Sequence, residues 1–134
     1  MGFEFPVRVY WEDTDAGGIV FYANYLKFFE RARTEWLRSL GIGQQALREA
    51  TGGLFVVSET ALRYLHPARL DDQLIVTAEV LELGRSSMRI AQQALRRSTG
   101  GEVLLCEGRI RIGWVDVQTW KPARIPSTIL ESLK

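Results

Sequence analysis

Apolar and polar residues change their spacing twice along the chain, and each change marks a new kind of element. Phe5, Val7, Val9 and Trp11 alternate with Pro6, Arg8, Tyr10 and Glu12. That period of two predicts a half-buried strand that delivers the chain to Asp13. From about Tyr25 to Leu40 the repeat lengthens, with Tyr25, Phe28, Phe29, Ala32, Trp36 and Leu40 recurring at three- and four-residue steps. Lys27, Glu30, Arg31, Arg33, Thr34 and Arg38 fall largely elsewhere, so one long amphipathic helix is predicted, stopped by Gly41. Gln44 to Ala50 predicts a short second helix that Gly52 and Gly53 break.

After Gly53 the spacing returns to that of strands. Leu54 to Leu65, Leu74 to Val80, Met88 to Arg97 and Val103 to Val115 read as four strands. They are separated by the Pro67 and Leu70–Gln73 region, by Gly84 to Ser86, and by the hairpin loop Ser98-Thr99-Gly100-Gly101. Ser127 is placed to cap a short terminal helix carrying Ile129, Leu130 and Leu133. Short links between successive strands favour antiparallel pairing, because parallel neighbours need long crossovers. The expected architecture is α+β, a five-stranded antiparallel sheet that buries the apolar stripe of one long helix.

Composition narrows the function classes. The chain has 134 residues, 46% apolar and 25% charged, which suits a single globular domain spanning 1–134. Seventeen basic residues against sixteen acidic give a formal charge of +1 without charge blocks. Nucleic acid is therefore not the expected partner. One cysteine, Cys106, and one histidine, His66, supply neither a disulfide framework nor the usual zinc ligand set, so no metal and no cofactor are expected. No apolar run approaches the roughly 18 residues that cross a bilayer, and the N-terminus lacks the basic and apolar regions of an export signal. The reading is a cytoplasmic protein without membrane insertion.

Chemistry concentrates between Tyr10 and Leu37. Asp13 and Asp15 lie on a glycine-containing turn that feeds the long helix. A helix N-terminus offers unpaired amides and partial positive charge, so a carboxylate just upstream borders a position suited to a developing oxyanion. Acidic residues and glycines before a helix also serve as ordinary caps and turns. His66, between Leu65 and Pro67, reads as a strand end entering a turn. Cys106, among Leu104, Leu105 and Ile110, reads as a small hydrophobe, and with no second histidine to activate it a cysteine hydrolase is not expected.

Tyr10, Glu12-Asp13-Thr14-Asp15, Gly18-Ile19-Val20, Ala23-Asn24-Tyr25, Glu30-Arg31-Ala32-Arg33 and the later His66-Pro67-Ala68-Arg69-Leu70-Asp71-Asp72 turn together resemble the hotdog-fold acyl-CoA thioesterases. Within them the chain is most similar to the YbgC type associated with the Tol-Pal operon, and next to the 4-hydroxybenzoyl-CoA thioesterases. The resemblance runs from about Val7 to about Pro126. It implies a helix wrapped by the sheet, and a homodimer joined edge to edge with active sites at the interface. It also implies dimers that pair into a homotetramer, acyl-CoA as substrate and acyl carrier protein as a further partner.

Residue by residue, the resemblance puts Asp15 in the catalytic position, as nucleophile or as general base for water. Asp13 falls to a turn or capping role. The amide of Tyr22 becomes the oxyanion donor. Many YbgC-type members carry histidine where this chain has Tyr22, so a mechanism that needs an imidazole there has none, and the Val20-Phe21-Tyr22-Ala23-Asn24-Tyr25 run is nearer the hydroxybenzoyl type. Gly18 and Val20 belong to the substrate approach. Arg85, with Ser86 and Ser87, aligns with a basic cluster at the nucleotide end of coenzyme A. Glu59 is a second candidate carboxylate, with Thr60, on the strand expected to face the helix start. Two other classes stay open: a hydratase on the same fold, which would need a histidine near Asp15, and an interaction module with vestigial activity.

Overall fold

The computed structural model describes residues 2–134. Five strands, β1 (Phe3–Arg8), β2 (Gly53–Tyr64), β3 (Gln73–Leu83), β4 (Ser87–Ser98) and β5 (Gly101–Asp116), form one sheet in the order β1-β3-β4-β5-β2. Every neighbouring pair is antiparallel. Three helices accompany it, α1 (Tyr25–Ser39), α2 (Gln44–Thr51) and α3 (Ser127–Leu133). Ser127 is the first residue of α3 rather than its cap, and it makes no side-chain capping bond.

Helix α1 lies on the sheet because its apolar stripe has nowhere else to go. Tyr25, Phe28, Phe29, Ala32, Trp36 and Leu37 are buried against inward residues of the strands, among them Val76, Ile90, Cys106, Ile110 and Trp114. Burying one such large apolar side chain is worth about 1.5–3 kcal/mol. Leu37, not Leu40, closes the stripe, and Leu40 is 37% exposed. The helix ends because Gly41 adopts φ +82, where a Cβ would be strained. Its N–H returns to the Arg38 carbonyl and that of Ile42 to the Leu37 carbonyl, the paired bonds of a Schellman motif. Gly108 on β5 is a contact glycine: a Cβ there would meet Leu62 at 2.7 Å and Phe29 at 3.0 Å, so its bareness lets helix and sheet approach.

The first strand is shorter than its alternation predicts. Val7 and Val9 are buried, but pairing with β3 stops at Arg8, and Trp11 stands 79% exposed. Trp11–Asp13 instead forms a 3-10 turn, because the Asp13 carboxylate accepts the Tyr10 N–H and draws the backbone out of the sheet. The two sheet edges differ as well. β1 is short and holds Pro6, whereas β2 has 12 residues, is bonded on one side only, and carries a bulge between Val57 and Glu59.

Candidate functional site at the opening of the long helix

The acidic loop is a small hairpin of its own. Thr14 bridges Val20, the Asp15 N–H donates to the Ile19 carbonyl at 2.9 Å, and the Phe21 N–H donates to the Asp13 carbonyl at 2.9 Å. At its tip the Asp15 carboxylate accepts the Gly17 N–H through Oδ1 at 2.8 Å, and Gly18 turns the chain at φ +78. Asp15 is exposed, and its Oδ2 has no protein hydrogen bond among the described residues. Strand-like contacts dock the hairpin on the link between β2 and β3, where Ile19 bridges Arg69 and the Val20 N–H donates to the Ala68 carbonyl at 2.9 Å. Val20 commits its side chain and its amide to the core, and Gly18 shapes the turn.

The two aspartates have opposite surroundings. Asp13 is 5% exposed; its Oδ2 accepts the Tyr10 N–H at 2.8 Å and its Oδ1 accepts the Asn24 Nδ2–H at 2.7 Å. Bonds of this charge-assisted kind are worth about 1.5–3 kcal/mol each, enough to hold a carboxylate in the interior. Asn24 is 7% exposed and sits immediately before α1. Between hairpin and helix, Tyr22–Asn24 makes a second 3-10 turn, and the Tyr22 N–H stands at its opening, where helical turns leave amides without an internal acceptor.

Aromatic side chains surround this turn. Phe21 is 44%, Tyr22 63% and Tyr64 46% exposed, and the Tyr22 and Tyr64 rings meet edge to face at 6.2 Å. The Tyr64 hydroxyl donates to the Tyr22 carbonyl at 2.9 Å, and its ring also lies 5.8 Å from that of Tyr25. Burial pushes the Tyr25 phenol up to about 12, with the Ala68 amide partly offsetting it, and raises Tyr64 in the same direction. Tyr64 is a site neighbour that the spacing of β2 did not single out. An exposed aromatic at the end of an otherwise alternating strand was the available signal.

The remaining predicted residues are not gathered here. Tyr64 lies beside the helix opening and Leu62 by Phe29, so Glu59 and Thr60, earlier on β2, lie further from the opening than the strand pattern implied. Glu59 is exposed and faces Arg89 at 3.9 Å. The Gly84-Arg85-Ser86 turn is farther still. Ser87 and Val56 both pair with Gly113, eight residues of β2 from Tyr64, which at the strand rise is about 26 Å. Arg85 is exposed and makes no ion pair among the described residues, and Ser87 Oγ accepts from Arg111 at 3.3 Å. His66 Nδ1 lies 3.2 Å from the Leu104 carbonyl, and Cys106 is buried, its thiol pushed up to about 12 by desolvation. No metal-binding cluster of His, Cys, Asp or Glu occurs among the described residues, and none of their helices is long and apolar enough to cross a membrane.

A five-stranded antiparallel sheet around one helix, with an acidic hairpin at the helix opening, defines an α+β protein of the hotdog fold. The profile of the thioesterase-like superfamily matches residues 9–133, and the chain belongs to that superfamily. It is 44% identical over 128 residues to the acyl-CoA thioesterase YbgC of Haemophilus influenzae, covering 96% of this chain and 91% of that one. It is 41% identical over 132 residues to the acyl-CoA thioester hydrolase YbgC of an Escherichia coli strain, covering 98% and 96%. In fold it is similar to a crystal structure of a 4-hydroxybenzoyl-CoA thioesterase bound to 4-hydroxybenzoyl-CoA. There the TM-score is 0.91 at 18% identity, over 98% of this chain and 97% of the other.

Proposed function

We propose that this protein is an acyl-CoA thioesterase that hydrolyses the thioester to a free acid and coenzyme A, with Asp15 as the reacting carboxylate. The observation that carries the reading is the free Oδ2 of Asp15 on a hairpin that docks beside the opening of α1. As nucleophile, Oδ2 adds to the thioester carbon; the C–S bond then breaks, the thiolate leaves and is protonated, and water opens the anhydride. As base, the carboxylate takes a proton from water while the water oxygen adds to the same carbon, and the proton passes to the leaving sulfur. In both, negative charge grows on the carbonyl oxygen, and the Tyr22 amide is the donor assigned to it. Curated relatives named as acyl-CoA thioesterases at 41–44% identity support the reaction class.

The separation of Asp15 from Arg85 favours a homodimer. A two-fold axis across the open edge of β2 near Thr60 would bring residue 56 of one copy level with residue 64 of the other. The exposed turn holding Arg85, Ser86 and Ser87 of a second copy would then approach the Asp15 hairpin and offer a cation to the phosphates of coenzyme A. Glu59 and Thr60 would lie at the axis. Further pairing into a tetramer, acyl carrier protein as an alternative thioester donor, a cytoplasmic location and a Tol-Pal setting follow from likeness to the YbgC type. The exposed aromatics Phe21, Tyr22 and Tyr64 favour a second reading of substrate, an aromatic acyl group stacked at the helix opening.

The test is thiol release across short aliphatic, long aliphatic and aromatic acyl-CoAs, with Asp15→Asn and Asp15→Ala beside the unaltered protein. Turnover that vanishes in both variants while the dimer persists is expected. Unchanged turnover in both would remove Asp15 from the reaction.

A further inference from the structure

We propose that Asp13 is a positioning residue that sets the distance between the Asp15 carboxylate and the Tyr22 amide by clamping the hairpin to the first turn of α1. The inference rests on the thioesterase reading above. Asp13 binds three separate segments at once. Its Oδ2 holds the Tyr10 N–H at the end of the first strand, its carbonyl holds the Phe21 N–H one residue before Tyr22, and its Oδ1 holds Asn24 at the start of α1. Asp15 is two residues away on one side of this clamp, and Tyr22 lies between its other two anchors. No other side chain joins hairpin and helix opening in this way among the described residues.

Chemistry fixes the orientation of the clamp. An ionised carboxylate only accepts, so the carboxamide facing it must present Nδ2, and the two donors need both oxygens. Both groups are buried, with Asp13 5% and Asn24 7% exposed, so water cannot replace a lost bond without opening the site. An aspartate used only as a turn cap would need one donor from its own segment. The bond to Asn24 spans 11 residues and reaches a second element. Displacements of about 1 Å between reacting groups can cost about 10²-fold in rate, so a clamp of this kind acts on kcat rather than on substrate affinity.

The experiment compares Asp13→Ala, Asn24→Ala and the exchange Asp13→Asn with Asn24→Asp, measuring kcat, KM and the thermal midpoint on the best acyl-CoA of the panel. Asp13→Ala removes both acceptor oxygens, and kcat is expected to fall about 10²-fold with KM little changed. The exchange restores the bridge with donor and acceptor reversed, because the new asparagine can accept from Tyr10 and donate to the new aspartate; most of kcat should return. If Asp13→Ala does not fold, Asn24→Ala, which keeps the Tyr10 bond, carries the same expectation. Wild-type kcat in Asp13→Ala or Asn24→Ala overturns the proposal, as does a loss that only tracks the folded fraction and is not recovered by the exchange. An unaltered protein inactive on every thioester overturns the thioesterase reading and this inference with it, whereas an active one with indifferent variants overturns this inference alone.

Discussion

At the helix-opening end of the sheet, Asp13 and Asn24 are buried and bonded to each other. At the opposite end Arg85 stands in solvent on a turn anchored by its backbone alone, its carbonyl accepting the Ile125 N–H and the Ser86 carbonyl the Trp114 N–H. Buried hydrogen-bonded groups cannot drift, so the first end can hold reacting atoms at fixed separation. An exposed guanidinium on a tight turn keeps its charge and its reach, which suits a flexible anionic ligand whose phosphates arrive in several geometries. On the proposed reading, rate is set at one end and coenzyme recognition at the other, with about 26 Å of β2 between them in a single chain.

Substitution at the two ends should therefore move different constants. Asp15→Asn or Asp15→Ala should lower kcat about 10²–10⁴-fold, read by thiol release under saturating substrate. If KM alone responds, the assignment of chemistry to the hairpin is wrong. Next in size, paired Val57→Lys and Thr60→Lys would set like charges across the open edge of β2, and activity should disappear together with the dimer in sedimentation velocity. A monomer that retains full kcat and KM would show that one chain holds the whole site. Arg85→Ala should raise KM for acyl-CoA about tenfold, the effect of one charge-assisted bond near solvent. A truncated thioester that ends at the pantetheine amide should not notice the change; equal effects on both substrates would detach Arg85 from the phosphates.

Two smaller effects concern the aromatic side of the helix opening. Tyr25 keeps its proton in the folded state up to about 12, whereas an unfolded tyrosine loses it near 10. Stability from this phenol is complete below the unfolded value and is lost as pH rises through the window between the two, because only the unfolded chain gives up its proton there. Titration at the tyrosinate absorption band should show one of the four tyrosines ionising last, together with alkaline unfolding. Cys106, buried and with its thiol pushed to about 12, should resist alkylation at pH 8 in the folded protein, and Cys106→Ala should leave turnover unchanged. Rapid alkylation with loss of activity would place a nucleophile at this end that the hairpin does not explain.

Much of the architecture was legible because hydrophobic periodicity is a local property. The stripe of α1 as far as Trp36, its stop at Gly41 and the existence of four strands after Gly53 follow the spacing, although β3 runs on past Val80 to Leu83. The end of β1 was misplaced because Trp11 continues the alternation, while a carboxylate at Asp13 pulls the same backbone into a turn. Alternation reports which face a side chain prefers and says nothing of where the partner strand runs out. Glu59 lay apart from the helix opening for a related reason: the register of β2 on β5, with its bulge after Val57, decides which residue reaches Tyr22, and that residue is Tyr64.

Sequence by itself determined the order of the main strands and helices and the place of the acidic turn before α1, since each depends on neighbours within a few positions. Only tertiary structure decided that β2 lies at an edge, that Asp13 is interior while Asp15 is free, and that Arg85 stands at the far end of the sheet. Strand order and burial follow from contacts between residues dozens of positions apart, whose balance of packing and desolvation no single stretch of chain encodes.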